Sequence, residues 1–204
     1  MRKTEILEIL RKKFNFSQES LNKICLFKEK LVKFNKNYNL ISKNTLDNVW
    51  ERHILDSAQI IPLLKAKKGS IIADLGTGAG FPGILISIHD HNFKFHVKLY
   101  EKSAVKREFL LLIKRELNLQ YSVLENVYTK EIKADVIVCR AFKKLPEIVK
   151  ISREIIKKPH KIVILKGKNA EKEINDLSLG KNYSYKLHKS MTSLESKILT
   201  MDVV

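Results

Sequence analysis

Between residues 73 and 83 the chain reads Ala73-Asp74-Leu75-Gly76-Thr77-Gly78-Ala79-Gly80-Phe81-Pro82-Gly83. An apolar run (Ile71, Ile72) precedes it and another (Ile84, Leu85, Ile86, Ile88) follows, so it reads as strand, tight turn, helix. Glycine lets a ligand approach the main chain closely and accepts conformations that other residues resist. Pro82 suits the first turn of a helix, and such a helix start directs unpaired N–H groups at an anionic ligand group. A nucleoside-containing cofactor fits this arrangement. Two patterns overlap here. Gly78-x-Gly80-x-x-Gly83 matches the dinucleotide fingerprint. Asp74-x-Gly76-x-Gly78-x-Gly80 matches the first motif of methyltransferases that use S-adenosylmethionine, and the loop alone does not choose between them.

Other residues fall where such a cofactor needs them. Gly76, Gly78 and Gly80 would hold its methionine part, and Phe81 would add apolar surface beside it. Glu101 follows an apolar strand, where a carboxylate accepts hydrogen bonds from both ribose hydroxyls. Val127 and Tyr128 follow the next strand, where a backbone N–H reads an adenine edge. Arg140 closes a fourth strand and faces the same crevice. The fourth strand ends Cys139-Arg140-Ala141-Phe142. It lacks the Asn/Asp-Pro-Pro-Tyr/Phe that holds an exocyclic amine, and Cys139 on a buried strand reads as packing rather than a nucleophile. That leaves acceptors with a free lone pair, such as guanine N7, or hydroxyls served by a base. His53 lies on an apolar helix face and reads as a core histidine. Asp56 lies off that face and is expected to cap or salt-bridge the glycine loop.

These residues need elements to position them. Residues 1–66 read as helical. Leu46, Val49, Trp50, His53, Ile54, Ser57, Ile60, Ile61 and Leu64 keep i, i+3, i+4 spacing over one long helix, with Asn44 as its cap and Pro62 ending it. From residue 70 strands and helices alternate. Strands are expected at 71–75, 95–100, 121–124, 135–139 and 162–165, and helices at 82–89, 103–117, 145–157 and 170–177. Two more extended segments, 183–188 and 197–203, are joined by too few residues for a parallel crossover, so the last strand should run antiparallel. The expected class is α/β: a Rossmann-like S-adenosylmethionine-dependent methyltransferase sheet, mostly parallel with one antiparallel strand near the C-terminus. It makes a single domain over 1–204, with an N-terminal helical extension (1–66) and a cofactor-binding core (70–204).

The 204 residues include 39 Lys and Arg against 22 Asp and Glu, a net charge of +17. Such an excess favours a polyanionic partner such as a nucleic acid. Lys also outnumbers Arg, as an AT-rich genome produces without selection for binding. A hydrophobic content of 44% excludes disorder. The N-terminus lacks a signal-peptide pattern, no apolar run is long enough to span a bilayer, and two cysteines make no disulfide framework. The reading is a cytoplasmic monomer.

Asn39-Leu40-Ile41-Ser42, Arg52-His53-Ile54-Leu55-Asp56-Ser57 and the glycine loop together resemble the bacterial small-subunit ribosomal RNA methyltransferases once called glucose-inhibited division protein B. Glu101 with Lys106 and Phe109-Leu110, then Cys139 to Phe142, then Leu165-Lys166-Gly167 extend the likeness to nearly the whole chain. The resemblance implies methyl transfer from S-adenosylmethionine to guanine N7 in the decoding-centre loop of 16S rRNA, on free rRNA or the 30S subunit. It places cofactor contacts at Gly76, Phe81, Val127, Tyr128 and Arg140, and the reaction it implies would use Arg140 on the guanine edge or a phosphate and Lys166 on a phosphate at the crevice mouth. Val127-Tyr128 stands where the family often has Ala-Glu, and Glu101-Lys102 where it has Glu-Ser or Asp-Ser. Two other readings stay open: a nicotinamide-dependent oxidoreductase, and a non-catalytic RNA-binding or ribosome-assembly protein.

Overall fold

A computed structural model describes residues 1–89, 95–126, 131–177 and 180–204. Val127 and Tyr128 lie outside the described residues. Seven strands form one sheet: β1 (Ile71–Leu75), β2 (His96–Tyr100), β3 (Tyr121–Leu124), β4 (Val136–Arg140), β5 (His160–Lys166), β6 (Tyr183–Lys189) and β7 (Lys197–Val203). Their order is β3-β2-β1-β4-β5-β7-β6. The first five are parallel to one another, and β7 runs antiparallel to both β5 and β6. The antiparallel ending expected from the short 189–196 connection is present, but β7 slots inside the sheet rather than at its rim.

The central strands are apolar on both faces because helices cover both. Ile72, Val138 and Val163 face one core, while Ala73, Ile137 and Ile164 face the other. The first core is closed by α1 (Lys3–Phe14), α2 (Gln18–Asn35), α5 (Gly83–His89) and α6 (Ala104–Glu116). The second is closed by α7 (Leu145–Ile155) and, through Ile174, α8 (Ala170–Asn175). α1 and α2 bury Ile6, Leu10, Ile24, Phe27 and Leu31 in the same cluster as Ile84 and Phe109. Ser17 caps α2, accepting from the Ser20 N–H at 3.1 Å, and the Ser20 hydroxyl donates to the Ile88 carbonyl at 2.9 Å, fastening α2 to α5.

The expected single helix between Asn44 and Ile61 is broken. It consists of α3 (Lys43–Leu46), a π-helical turn (Trp50–Leu55), α4 (Asp56–Ala58) and a 3-10 turn (Ile61–Leu63) holding Pro62. Asn44 is not the cap; Ser42 occupies that position. The π-turn has a physical consequence. The Asp56 amide reaches back five residues to the Glu51 carbonyl instead of to Arg52, and the Arg52 carbonyl accepts from Arg140 Nη1 at 2.8 Å. Periodicity survives the break, so Val49, His53, Ile54 and Leu64 are all buried. Such π-turns recur at functional sites because they release backbone groups for other partners.

Candidate active site

At the C-terminal edge of β1 the chain turns through three glycines of positive φ: Gly76 (68°), Gly78 (60°) and Gly80 (99°). This left-handed backbone is the reason for glycine there. Asp74 holds the turn from beneath. Its Oδ2 accepts from Thr77 Oγ1 at 2.5 Å and from the Gly83 N–H at 2.8 Å. Gly80 and Phe81 N–H both donate to the Thr77 carbonyl, and Ile84 N–H to that of Gly80. The expectation of unpaired N–H groups at the helix start is therefore corrected at these positions. They are spent on fixing the loop, and α5 begins at Gly83, one residue past Pro82.

Glu101 comes directly against this loop. Its Oε2 accepts from Gly78 N–H at 3.0 Å and its Oε1 from Ser103 N–H at 2.8 Å. A carboxylate has about four acceptor positions, so two remain for hydroxyl groups. Gly78 itself faces space: an added Cβ would meet only the Gly76 carbonyl, at 4.0 Å. The open face at Gly78 and the half-used carboxylate of Glu101 fit a nucleoside cofactor.

Burial pushes the Asp74 carboxyl up to about 7, against the pull of Thr77, Gly83 and Arg140. Its folded pKa lies above the unfolded value near 3.8. The stability tied to the protonated form is thus complete below pH 3.8 and is lost as pH rises through about 7. Relative to Asp74→Asn, which does not titrate, the wild type should lose about 4 kcal/mol between pH 4 and pH 8, from roughly three pKa units. Denaturant melts of both proteins across that range check this; parallel profiles would contradict it.

Arg140, at the end of β4, is held by the N-terminal extension. Nη1 donates to the Arg52 carbonyl and lies 3.9 Å from Asp56 Oδ2; Nη2 donates to His53 Nδ1 at 2.5 Å. The guanidinium sits 5.3 Å from the centre of the Phe81 ring, and the His53 ring 5.1 Å from it. Burial and the two arginines hold His53 down at about 3, so the ring is neutral and accepts through Nδ1. Phe81 is only 2% exposed and packs on Phe27 at 5.2 Å. Its ring is therefore packed against Phe27 and His53. Asp56 does not reach the glycine loop, whose carboxylate is Asp74. Its Oδ1 accepts from Gln59 Nε2 at 2.8 Å and Thr192 Oγ1 at 2.7 Å.

Beyond Arg140 the backbone turns sharply at Ala141 (φ 50°) and lays the Phe142 ring on Gly76. A cleft of about 400 Å³ opens here, bounded by Arg52, Asp56, Arg140, Phe142, Lys166 and Thr192. Lys166 lines it, with its ammonium paired to Glu173 Oε2 at 2.7 Å. Cys139 is fully buried and burial pushes its thiol up, so it packs the core and is no nucleophile. Thus Gly76, Gly78 and Glu101 form one half of the site and Arg140 and Lys166 the other, meeting at Phe142. Sequence reading missed Phe142, Gln59 and Thr192. A hint for Phe142 was its place just past a strand end; Thr192 carried none, its partner Asp56 being 136 residues away.

This strand order, with a glycine loop after β1 and a carboxylate after β2, defines an S-adenosylmethionine-dependent methyltransferase. Among solved structures, the fold is similar to a SAM-dependent methyltransferase from Aquifex aeolicus (TM-score 0.59, 14% identity, 84% of this chain and 97% of that one). It is also similar to M. jannaschii TYW2 in complex with AdoMet (TM-score 0.53, 13% identity, 80% and 76%). Residues 20–201 match the family model described as GidB, rRNA small subunit methyltransferase G. Relatives of that name include one from Orientia tsutsugamushi (strain Ikeda), 34% identical over 200 residues and 98% of both chains. Another, from Pelagibacter ubique, is 37% identical over 198 residues, 94% of this chain and 92% of that one. The chain belongs to the rRNA small subunit methyltransferase G family. It is an enzyme, and S-adenosylmethionine is its methyl donor.

Proposed function

We propose that the chain methylates N7 of a guanine in 16S rRNA, on free RNA or the small ribosomal subunit, as a cytoplasmic monomer. The observation that carries this reading is the pairing of a cofactor cradle (Gly76, Gly78, Glu101) with a cationic cleft across Phe142, in a member of this family. The net charge of +17 supports an RNA substrate and opposes self-association. Among the described residues no helix is long and apolar enough to cross a membrane.

When bound, the cofactor supplies a methyl group made electrophilic by the adjoining sulfonium. The glycine loop would seat the methionine part, Glu101 the ribose, and the backbone of Val127 and Tyr128 the adenine. Guanine N7 carries an in-plane lone pair and no proton at neutral pH, so the reaction requires no general base. Neutral His53, engaged with Arg140, is a holder and not a base. Arg140 would face the methyl-bearing side of the crevice, and Lys166, with Glu173 beside it, the phosphates at the mouth. Catalysis is then alignment of acceptor, carbon and leaving sulfur, which rigid positioning can supply in large part. Phe81 acts from beneath, as the surface on which Arg140 and His53 rest.

The test is direct. Unmethylated 30S subunits or 16S rRNA, incubated with enzyme and S-adenosylmethionine, should gain one site of chemical cleavage diagnostic for 7-methylguanine, read as a single primer-extension stop. Identical ladders with and without enzyme would reject the reaction.

A further inference from the structure

The connection between β6 and β7 carries a feature that methyl transfer does not use. Residues 190–192 are tied to the extension by hydrogen bonds, and the Ser190 N–H donates to the Ser196 carbonyl at 3.3 Å, closing the base of the loop. Met191 N–H donates to Gln59 Oε1 at 2.8 Å, and Gln59 Nε2 donates to Ser190 Oγ at 3.1 Å and to Asp56 Oδ1 at 2.8 Å. Thr192 Oγ1 donates to Asp56 Oδ1, and Thr192 N–H to Ser190 Oγ at 3.2 Å. Gln59 is only 5% exposed, and Asp56 is held largely out of water. So the loop is a fixed wall, and Thr192 and Ser196 line the cleft. At its tip Leu194 is 98% exposed.

Leu194, with Met191 on the same loop 39% exposed, makes an apolar tip too small for a protein partner, whose patches run to several hundred Å². It has the size and chemistry of a wedge that enters a base stack. Two residues of chain span at most about 7 Å, so the tip stands beside the cleft wall formed by Thr192 and Ser196. The cleft receives a base only after that base has left its stack, which leaves a gap. Exposed cations at the rim, Arg52 and Lys168, suit the flanking phosphates, while Glu195 beside the tip repels them and leaves it to the bases.

We propose that Leu194 enters the RNA stack at the place vacated by the guanine, holding that base in the cleft. This rests on the RNA reading above. The experiment measures methylation of unmethylated 30S subunits by wild type, Leu194→Ala and Leu194→Phe, together with S-adenosylhomocysteine affinity. Leu194→Ala should lower kcat/KM for the RNA at least tenfold, with cofactor-analogue affinity and thermal stability unchanged. Leu194→Phe, which keeps an apolar wedge, should recover most of the loss. Wild-type kcat/KM in Leu194→Ala overturns the inference while leaving the reaction intact. So does loss of cofactor affinity in that variant, which would mean the loop only supports the fold. Failure of the wild type to methylate RNA removes the reaction reading itself, and the wedge with it.

Discussion

Gly76→Ala is expected to abolish most cofactor binding while leaving a folded protein. Two costs fall on that one methyl group. The left-handed backbone (φ 68°) costs a residue with a Cβ about 1–2 kcal/mol. The new Cβ would also lie deep inside contact with the Phe142 ring, and forcing such an overlap costs about 1–3 kcal/mol. The loop relieves both by shifting, and the shift moves Gly78 away from Glu101. S-adenosylhomocysteine affinity should then fall on the order of a hundredfold, about 3 kcal/mol. Gly78→Ala makes the comparison sharp. It carries the same backbone penalty (φ 60°) but meets nothing closer than 4.0 Å, so its loss of stability should be the smaller of the two. Calorimetric titration and denaturant melts of both variants decide the matter. Equal losses of stability would show that the Phe142 contact is irrelevant.

The second large effect is expected at Arg140. Removing the guanidinium leaves the Arg52 carbonyl, His53 Nδ1 and Asp56 without their cationic partner, beneath a protein surface that water reaches poorly. Leaving such groups uncompensated costs about 2–4 kcal/mol. Arg140→Lys should fare little better. A single ammonium cannot bond the Arg52 carbonyl and His53 together while lying over Phe81, as a planar fork does. Methyl transfer should fall at least a hundredfold in both variants, measured with radiolabelled cofactor and saturating RNA. His53→Gln retains an acceptor and should lie between them and the wild type. Near-normal turnover in Arg140→Lys would show that the extension does not set the geometry of the crevice.

Much of the core was legible because its signals are local. Strand β1, the glycine turn and α5 are contiguous, so composition and periodicity locate them within a residue. β3 and β7 match the expected bounds for the same reason, and the eight-residue link before β7 dictated its direction by length alone. The extension was less legible. A π-turn preserves the apolar spacing around it, and so it is invisible to a test of periodicity. What reveals it is the partner it frees, the Arg52 carbonyl, and that partner lies 88 residues from Arg140. The role of Asp56 was hidden for the same reason, its partner Thr192 lying 136 residues away. Phe81 looked like a cofactor surface because it follows the glycines; the extension covers it, and sequence alone does not show which helix lands where.

The seventh strand is last in the chain, yet it lies between the fifth and the sixth. During translation the open flank of β5 therefore stays without a hydrogen-bonding neighbour until residue 203 has cleared the exit tunnel. An unpaired edge of this kind is where nascent chains associate wrongly, and the strand that covers it is synthesised only after β6, the strand that comes to lie beyond it.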